Sequence, residues 1–370
     1  GLSIDQVAQL TSEQVQSLSA STIEGFDSNQ VAALTTGNVV GLQSKNIAGI
    51  SSLAISGFEI DDLALLRPDQ VKGFSTLQIA ELSAAQVRAL TASAIGGLNS
   101  SQIAALSNAS VASLTTSQIA SLQPAAWVVV YLPGSSLGLT TTSIALLNAS
   151  QVGAISDIAF REFTSEQLSA FNLDSVLGFN AKQVAALNSA NLPGLSSAAL
   201  GQFTTQATLG LEPEDIAQLS ANQLVGLRAE QLAVLRADQV QAFTSLNVVG
   251  LSSAQIAAFS INNIAAVQTD TLSVIGSEAI RGLESRDIRF LTSLQISVLR
   301  SDHLAAFDTL QIGAITAENA VGLNRIQLNT LPKDLVGSLS SQAISTLSTS
   351  ALLGFDTESI KFLTASQIKA

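Results

Sequence analysis

Cysteine and methionine are absent from this 370-residue chain, and histidine, tryptophan and tyrosine occur once each. Without cysteine there is neither a disulfide framework nor a thiolate metal site. One histidine leaves only carboxylates as further ligands, and a metal needs several donors converging. Charged residues make up 12% of the chain, and the 16 basic ones are outnumbered by 28 acidic ones, a net charge of −12. A phosphate backbone would be repelled, so nucleic acid is disfavoured as a partner. The longest apolar run, Ala125 to Leu132, falls far short of the roughly 18 residues that span a bilayer. Disorder is excluded from the other side, because 47% of the residues are apolar. Glycine in place of methionine at position 1 predicts a chain that follows a cut.

What is present is a period. Leu10, Leu18, Phe26, Leu34, Leu42, Ile50, Phe58 and Leu66 fall every eighth residue, and the register holds from Ser3 to Leu122, giving 15 octads. It resumes at Thr140 and runs to Leu363, giving 28 more, and all 43 final positions carry Leu, Phe, Ile or Val. The fifth position is a large apolar residue in 41 octads, the exceptions being Thr208 and Ala320. The first is Ser, Thr, Asp or Asn in 32 of 43, the residues whose side chains cap a helix start. Three residues later Gln follows in 18 octads, completing a capping box after Ser or Thr. The apolar residues before the cap and at the fifth position are the two halves of a hydrophobic staple.

A continuous helix is incompatible with this pattern, because eight residues at 100° rotate an apolar stripe by about 80° per octad. Strands fit worse, since the apolar spacing is three and five. The spacing predicts an all-α solenoid, a superhelix of about 45 tandem eight-residue minihelical repeats, each a short helix followed by a change of direction. Helices this short are unstable alone, so stacked neighbours must hold them. Small seventh-position residues such as Gly41, Gly49, Gly57, Ala89, Gly97 and Ala105 predict close approach between them. Leu2 already occupies a repeat position and Thr364 to Ala370 stops inside an octad, which predicts a segment of a longer array.

Residues 123–139 separate the arrays 1–122 and 140–370, and their 17 residues stand where two octads need 16. They hold Trp127 and Tyr131, with a β-prone run before the turn signal Pro133-Gly134. Trp127 and Tyr131 form a candidate interaction patch, since aromatics are enriched at such surfaces. The alternative is a degenerate octad pair with its apolar run, Trp127 included, in the common core. The turn signal predicts that the extra residue is looped out and the superhelix continues.

No catalytic constellation is found. His303, beside Asp302, occupies the fourth octad position, where Gln is usual, and reads as a surface or capping side chain. The densest carboxylates, Glu59, Asp61 and Asp62, then Glu212, Glu214 and Asp215, lack EF-hand spacing and read as helix-dipole partners at octad starts. No phosphate-binding glycine motif is present, so no cofactor is expected. The sequons at Asn99, Asn108 and Asn148 are short enough to arise by chance.

Leu114-Thr115-Thr116-Ser117-Gln118-Ile119 resembles the LTxxQ repeats of very large bacterial secreted and cell-surface proteins, as does Phe163-Thr164-Ser165-Glu166-Gln167-Leu168, with Phe in place of Leu. The resemblance implies export, an adhesin-like or stalk role and a protein or cell-surface partner, and it brings no active-site residue. Two functions are expected to compete. The first is a non-enzymatic stalk or spacer. The second is a binding scaffold whose variable second, third and sixth positions line a groove for a peptide, glycan or partner protein. Ice or mineral binding is disfavoured, because the exposed positions are too varied for a flat array.

Overall fold

The computed structural model describes residues 1–122 and 139–370, apart from the side chain of Asn262. Among them are 40 α-helices of four to six residues and three 3-10 helices, with no strand. Helix starts follow the predicted caps. In the unit Thr115–Leu122, Thr115 Oγ1 accepts from the Gln118 N–H at 3.3 Å, and Gln118 Oε1 accepts from the Thr115 N–H at 2.8 Å. The helix Thr116–Ser121 then ends at Leu122, whose extended backbone turns the chain.

Contacts divide the chain into two units, Gly1–Gly194 and Leu195–Ala370, and each is an α-solenoid. In the first, Ser12–Ser17 packs on Val39–Gly41 and Ala92–Ile95 on Thr116–Ser121. In the second, Thr269–Val274 packs on Ser293–Val298 and Ser341–Ser345 on Ala365–Lys369. Each of these pairs is three octads apart, so an octad's packing partner is the third along the chain and one superhelical turn takes roughly 24 residues.

The fifth and eighth positions form the core. Val71, Ile79 and Ile288 are fully buried and Phe74, Leu82 and Leu291 nearly so. The two exceptions at the fifth position are buried as well. Thr208 is tolerated because its hydroxyl donates to the Thr204 carbonyl at 3.0 Å and accepts from Gln231 Nε2 at 3.1 Å. In the first unit Phe160 packs edge-on against Phe163 and Phe179, with ring centroids 5.4 and 4.8 Å apart.

Seventh positions set the spacing between turns. At Gly41, Gly57, Gly178 and Gly282 an added Cβ would overlap the carbonyl oxygen of the residue 29 positions earlier. Where the turns stand further apart, a hydroxyl bridges to the corresponding carbonyl: Ser121 to Ala92 at 2.7 Å and Thr346 to Ala317 at 3.0 Å. All three 3-10 helices, Val39–Gly41, Ser52–Gly57 and Leu192–Gly194, end on such a glycine. Octads 35–42, 188–195 and 244–251 contain no α-helix, and each carries Asn at its fourth position (Asn38, Asn191, Asn247). Asn alone does not decide this, because Asn46, Asn263 and Asn319 hold the same position in α-helical octads.

Candidate interaction surface and the fourth-position clamp

The fourth position does more than close a capping box. With its oxygen engaged by its own helix start, Gln118 turns its Nε2 away from that helix. It donates to the carbonyls of Leu90 at 2.6 Å and Val87 at 3.2 Å, 28 and 31 residues earlier. Gln70, Gln86 and Gln102 in the first unit, and Gln295, Gln311 and Gln327 in the second, likewise donate to the carbonyl 28 residues earlier. One buried amide therefore caps a helix and ties it to the turn below, meeting backbone groups that burial would otherwise leave unpaired.

This second role was missed in the sequence, although a signal was there. A capping box takes Glu as readily as Gln, yet no Glu, Lys or Arg occupies any of the 43 fourth positions. Such an exclusion marks a slot that is buried.

The clamp persists across the interruption. Gln151 Nε2 donates to Ile119 and Leu122 at 2.9 and 3.1 Å, which are fifth- and eighth-position carbonyls as elsewhere. The separations are 32 and 29 residues, longer by the single extra residue of the interval 123–139. Trp127 and Tyr131, the candidate patch, lie outside the described residues.

Of the two readings of His303 the capping one holds and the surface one is corrected, since the side chain is a buried clamp with 0% exposure. Its Nδ1 accepts from the Arg300 N–H at 3.3 Å and its Nε2 lies 2.8 Å from the Ile275 carbonyl, 28 residues earlier. A carbonyl only accepts, so the proton sits on Nε2 and the neutral ring reproduces both halves of a Gln amide. Burial, then the Arg300 charge, pushes its pKa down and keeps it neutral. Asp302 pairs with Arg300 at 2.9 Å, and the structure shows no hydrogen bond joining it to His303. His303→Gln is therefore expected to change stability by less than about 1 kcal/mol, since each bond has an equivalent. A loss in urea unfolding above about twice that figure would refute the equivalence.

The acidic clusters do lie in first helical turns, but Asp62 and Asp215 are buried there at fourth positions, and Asp287 is a third. Burial first, with added repulsion from Glu59 and Asp61, pushes Asp62 up to about 6. Burial also pushes Asp215 up to about 6, against the Glu212 N–H that it accepts at 3.2 Å. Among the described residues no three His, Cys, Asp or Glu side chains converge to hold a metal, and no helix is long and apolar enough to cross a membrane.

Three surface furrows recur at one place in the repeat. One is lined by Ser12, Glu13 and Gln16, by Val40 to Lys45, and by Arg67 and Asp69. The second is lined by Ala237, Asp238 and Gln241, by Ala265 to Thr269, and by Thr292, Leu294 and Gln295. The third runs over Arg281 to Arg286 with Asp308, Leu310 and Gln311. Second, third and sixth positions contribute to the lining, as expected for a groove, joined by the seventh, eighth and first. Third-position side chains differ from furrow to furrow: Glu13, Lys45 and Asp69; Asp238 and Leu294; Arg286 and Leu310. Arg67 closes part of the first by donating to the Val40 carbonyl at 3.2 Å.

Residues 209–245 match the ALTTAQ repeat family. Read in the octad register, those six letters fall on positions seven, eight and one to four, so the final Q is the clamp. Within the matched stretch they correspond to Gly226 to Gln231 and Val234 to Gln239. No curated protein matches the chain. Among solved structures it is similar to the leucine-rich repeat-containing protein LegL7 from Legionella pneumophila, at 16% identity over 74% of this chain and 90% of that one, with a TM-score of 0.18. The chain is a repeat protein with a helical scaffold.

Proposed function

We propose that this scaffold is a structural region, a stalk or spacer of a large bacterial secreted or surface protein, without catalytic activity. The observation that carries the reading is the clamp. In both units the same buried side chain performs the same two tasks at repeated octads, tying those turns to the ones below. The furrows support it from the other side, because their linings repeat in position but not in chemistry. The likeness of the octads to repeats of exported proteins supports secretion and a surface location.

The second reading is a binding scaffold for a peptide, glycan or partner protein, and the recurrence of the furrows favours it. Deleting residues 276–299, three whole octads of the second unit, tests the two together. A spacer is expected to keep its helical circular dichroism per residue and to show no saturable ligand on glycan and peptide arrays, before or after the deletion. A micromolar ligand of the parent chain, lost on deletion or on Arg286→Glu in the third furrow, would overturn the spacer reading.

A further inference from the structure

The fourth-position slot has a fixed chemical demand. It presents one donor, the first-position N–H of its own octad, and carbonyl acceptors from the turn below. A side chain that meets both groups must accept and donate, whereas the Ala or Leu found in nine of the 43 slots meets neither. Gln, Asn and neutral His meet that demand, and a carboxylate can only accept.

Asp62 and Asp287 sit in this slot, 2% and 0% exposed. Asp287 Oδ2 accepts from the Glu284 N–H at 2.9 Å, as Asn46 Oδ1 accepts from the Gln43 N–H at 2.8 Å. The other oxygen of Asp287, and Asp62 Oδ2, are buried without a hydrogen bond. A side chain of this length reaches the turn below in some octads and not in others, since Asn263 Nδ2 is buried in the same slot without a hydrogen bond. Asn has the same length, and in this slot Asn46 donates to Leu18 at 2.8 Å and Asn319 to Ile288 at 2.8 Å. By the same register the carbonyls of Val31 and Leu34 stand below Asp62, and those of Ile256 and Phe259 below Asp287. On Asp62 and Asp287 the hydrogen that such a bond needs is missing.

We propose that Asp62 and Asp287 are proton-operated clamps: each carboxyl takes a proton from solvent and donates it to a carbonyl of the preceding turn, so mild acid tightens that turn and neutral pH loosens it.

The surrounding charges fit this reading. Beside Asp62 stand Glu59 and Asp61 on its own octad, and the helix packed against it, Ala84–Ala89, contributes Arg88. The octads below, 27–34 and 35–42, hold only Asp27. Beside Asp287 stand Glu284, Arg286 and Arg289, with Arg286 Nε at 3.6 Å from Oδ1. Of the helices packed on it, Ile261–Ile264 has no charged residue and Thr309–Gly313 begins at Asp308. Burial raises the Asp287 pKa, as burial and its acidic neighbours raise that of Asp62 to about 6. A carboxyl with a folded pKa above its unfolded value binds more protons when folded. Its contribution is fully present below the unfolded value of 3.8 and is lost as pH rises through about 6.

Amide hydrogen exchange at about pH 5 and about pH 7.5, corrected for intrinsic rates, tests the proposal on the whole chain and on the double variant Asp62→Asn, Asp287→Asn. In the parent, amides at 31–35 and 256–260 are expected to exchange about tenfold more slowly in acid, one pKa unit being a factor of ten. In the double variant the protection is expected at both pH values, with a difference under about twofold. An undiminished pH difference in the variant would overturn the proposal. So would faster exchange than the parent at neutral pH, because the amide then fails to supply the missing donor. Urea midpoints at the two pH values give the second readout, and the variant is expected above the parent only at neutral pH.

Discussion

Gln78→Leu is expected to destabilise the first unit by about 3 kcal/mol, although the two side chains are similar in size and the site is buried. The amide accepts from the Ser75 N–H at 2.6 Å and donates to the Ile47 and Ile50 carbonyls at 2.8 and 2.6 Å. Leucine would add apolar burial but leave one donor and one acceptor without partners, the Ile47 carbonyl keeping its bond from the Ile50 N–H at 3.1 Å, at about 1–3 kcal/mol for each group that water cannot reach. Gln78→Glu would restore the acceptor half alone and should recover little. Urea unfolding followed by far-ultraviolet circular dichroism measures the difference. A Gln78→Leu variant as stable as the parent would reduce the inter-turn bonds to bystanders, leaving the fifth- and eighth-position core as the sole tie between turns.

Gly57→Ala and Gly282→Ala are each expected to cost about 3 kcal/mol, at or above the usual upper range for overpacking. A methyl at either position would overlap the backbone carbonyl below it, Ser28 or Ser253, and backbone cannot swing aside as a flexible side chain does. The turn would have to open toward the wider spacing found at Ser121, breaking its register with the clamps on either side. Gly276→Ala is the control. Nothing lies within 4 Å of a Cβ there and φ is −66°, so the change should stay within about 0.5 kcal/mol. Equal thermal midpoints for Gly57→Ala and Gly276→Ala would show that close approach at the seventh position has no energetic weight.

Much of this fold was legible from one chain. The recurrence of Leu, Phe or Ile every eighth residue specified the length of the unit and its buried positions. Ser or Thr with Gln three residues later specified where each helix begins, as Thr115 and Gln118 show. These features are local: caps, staples and apolar spacing act within one octad, so sequence neighbours suffice to express them. The irregular octads were less legible. Nothing local in Thr244 to Leu251 forbids a helix, and the segment departs from one where Asn247 reaches the Ile216 carbonyl at 2.8 Å.

The candidate surface was legible in outline. Second, third and sixth positions were recognisably variable and they do line the furrows, but which octads meet across a furrow was not readable. The burial of His303 and Asp62 was missed for a related reason. Their surroundings are made by residues 28 and 31 positions earlier, and the immediate sequence around each looks like an exposed helix start.

The sequence by itself determined a helical octad and its core face. The tertiary structure alone decided that three octads make a turn and that the fourth position is a buried clamp. An eight-residue period is the same whichever octads stack, since every octad presents the same apolar face to any other. The choice lies in the angle between successive minihelices. That angle is set by how closely seventh-position glycines admit the neighbouring backbone and by how far a Gln amide reaches past its own helix start.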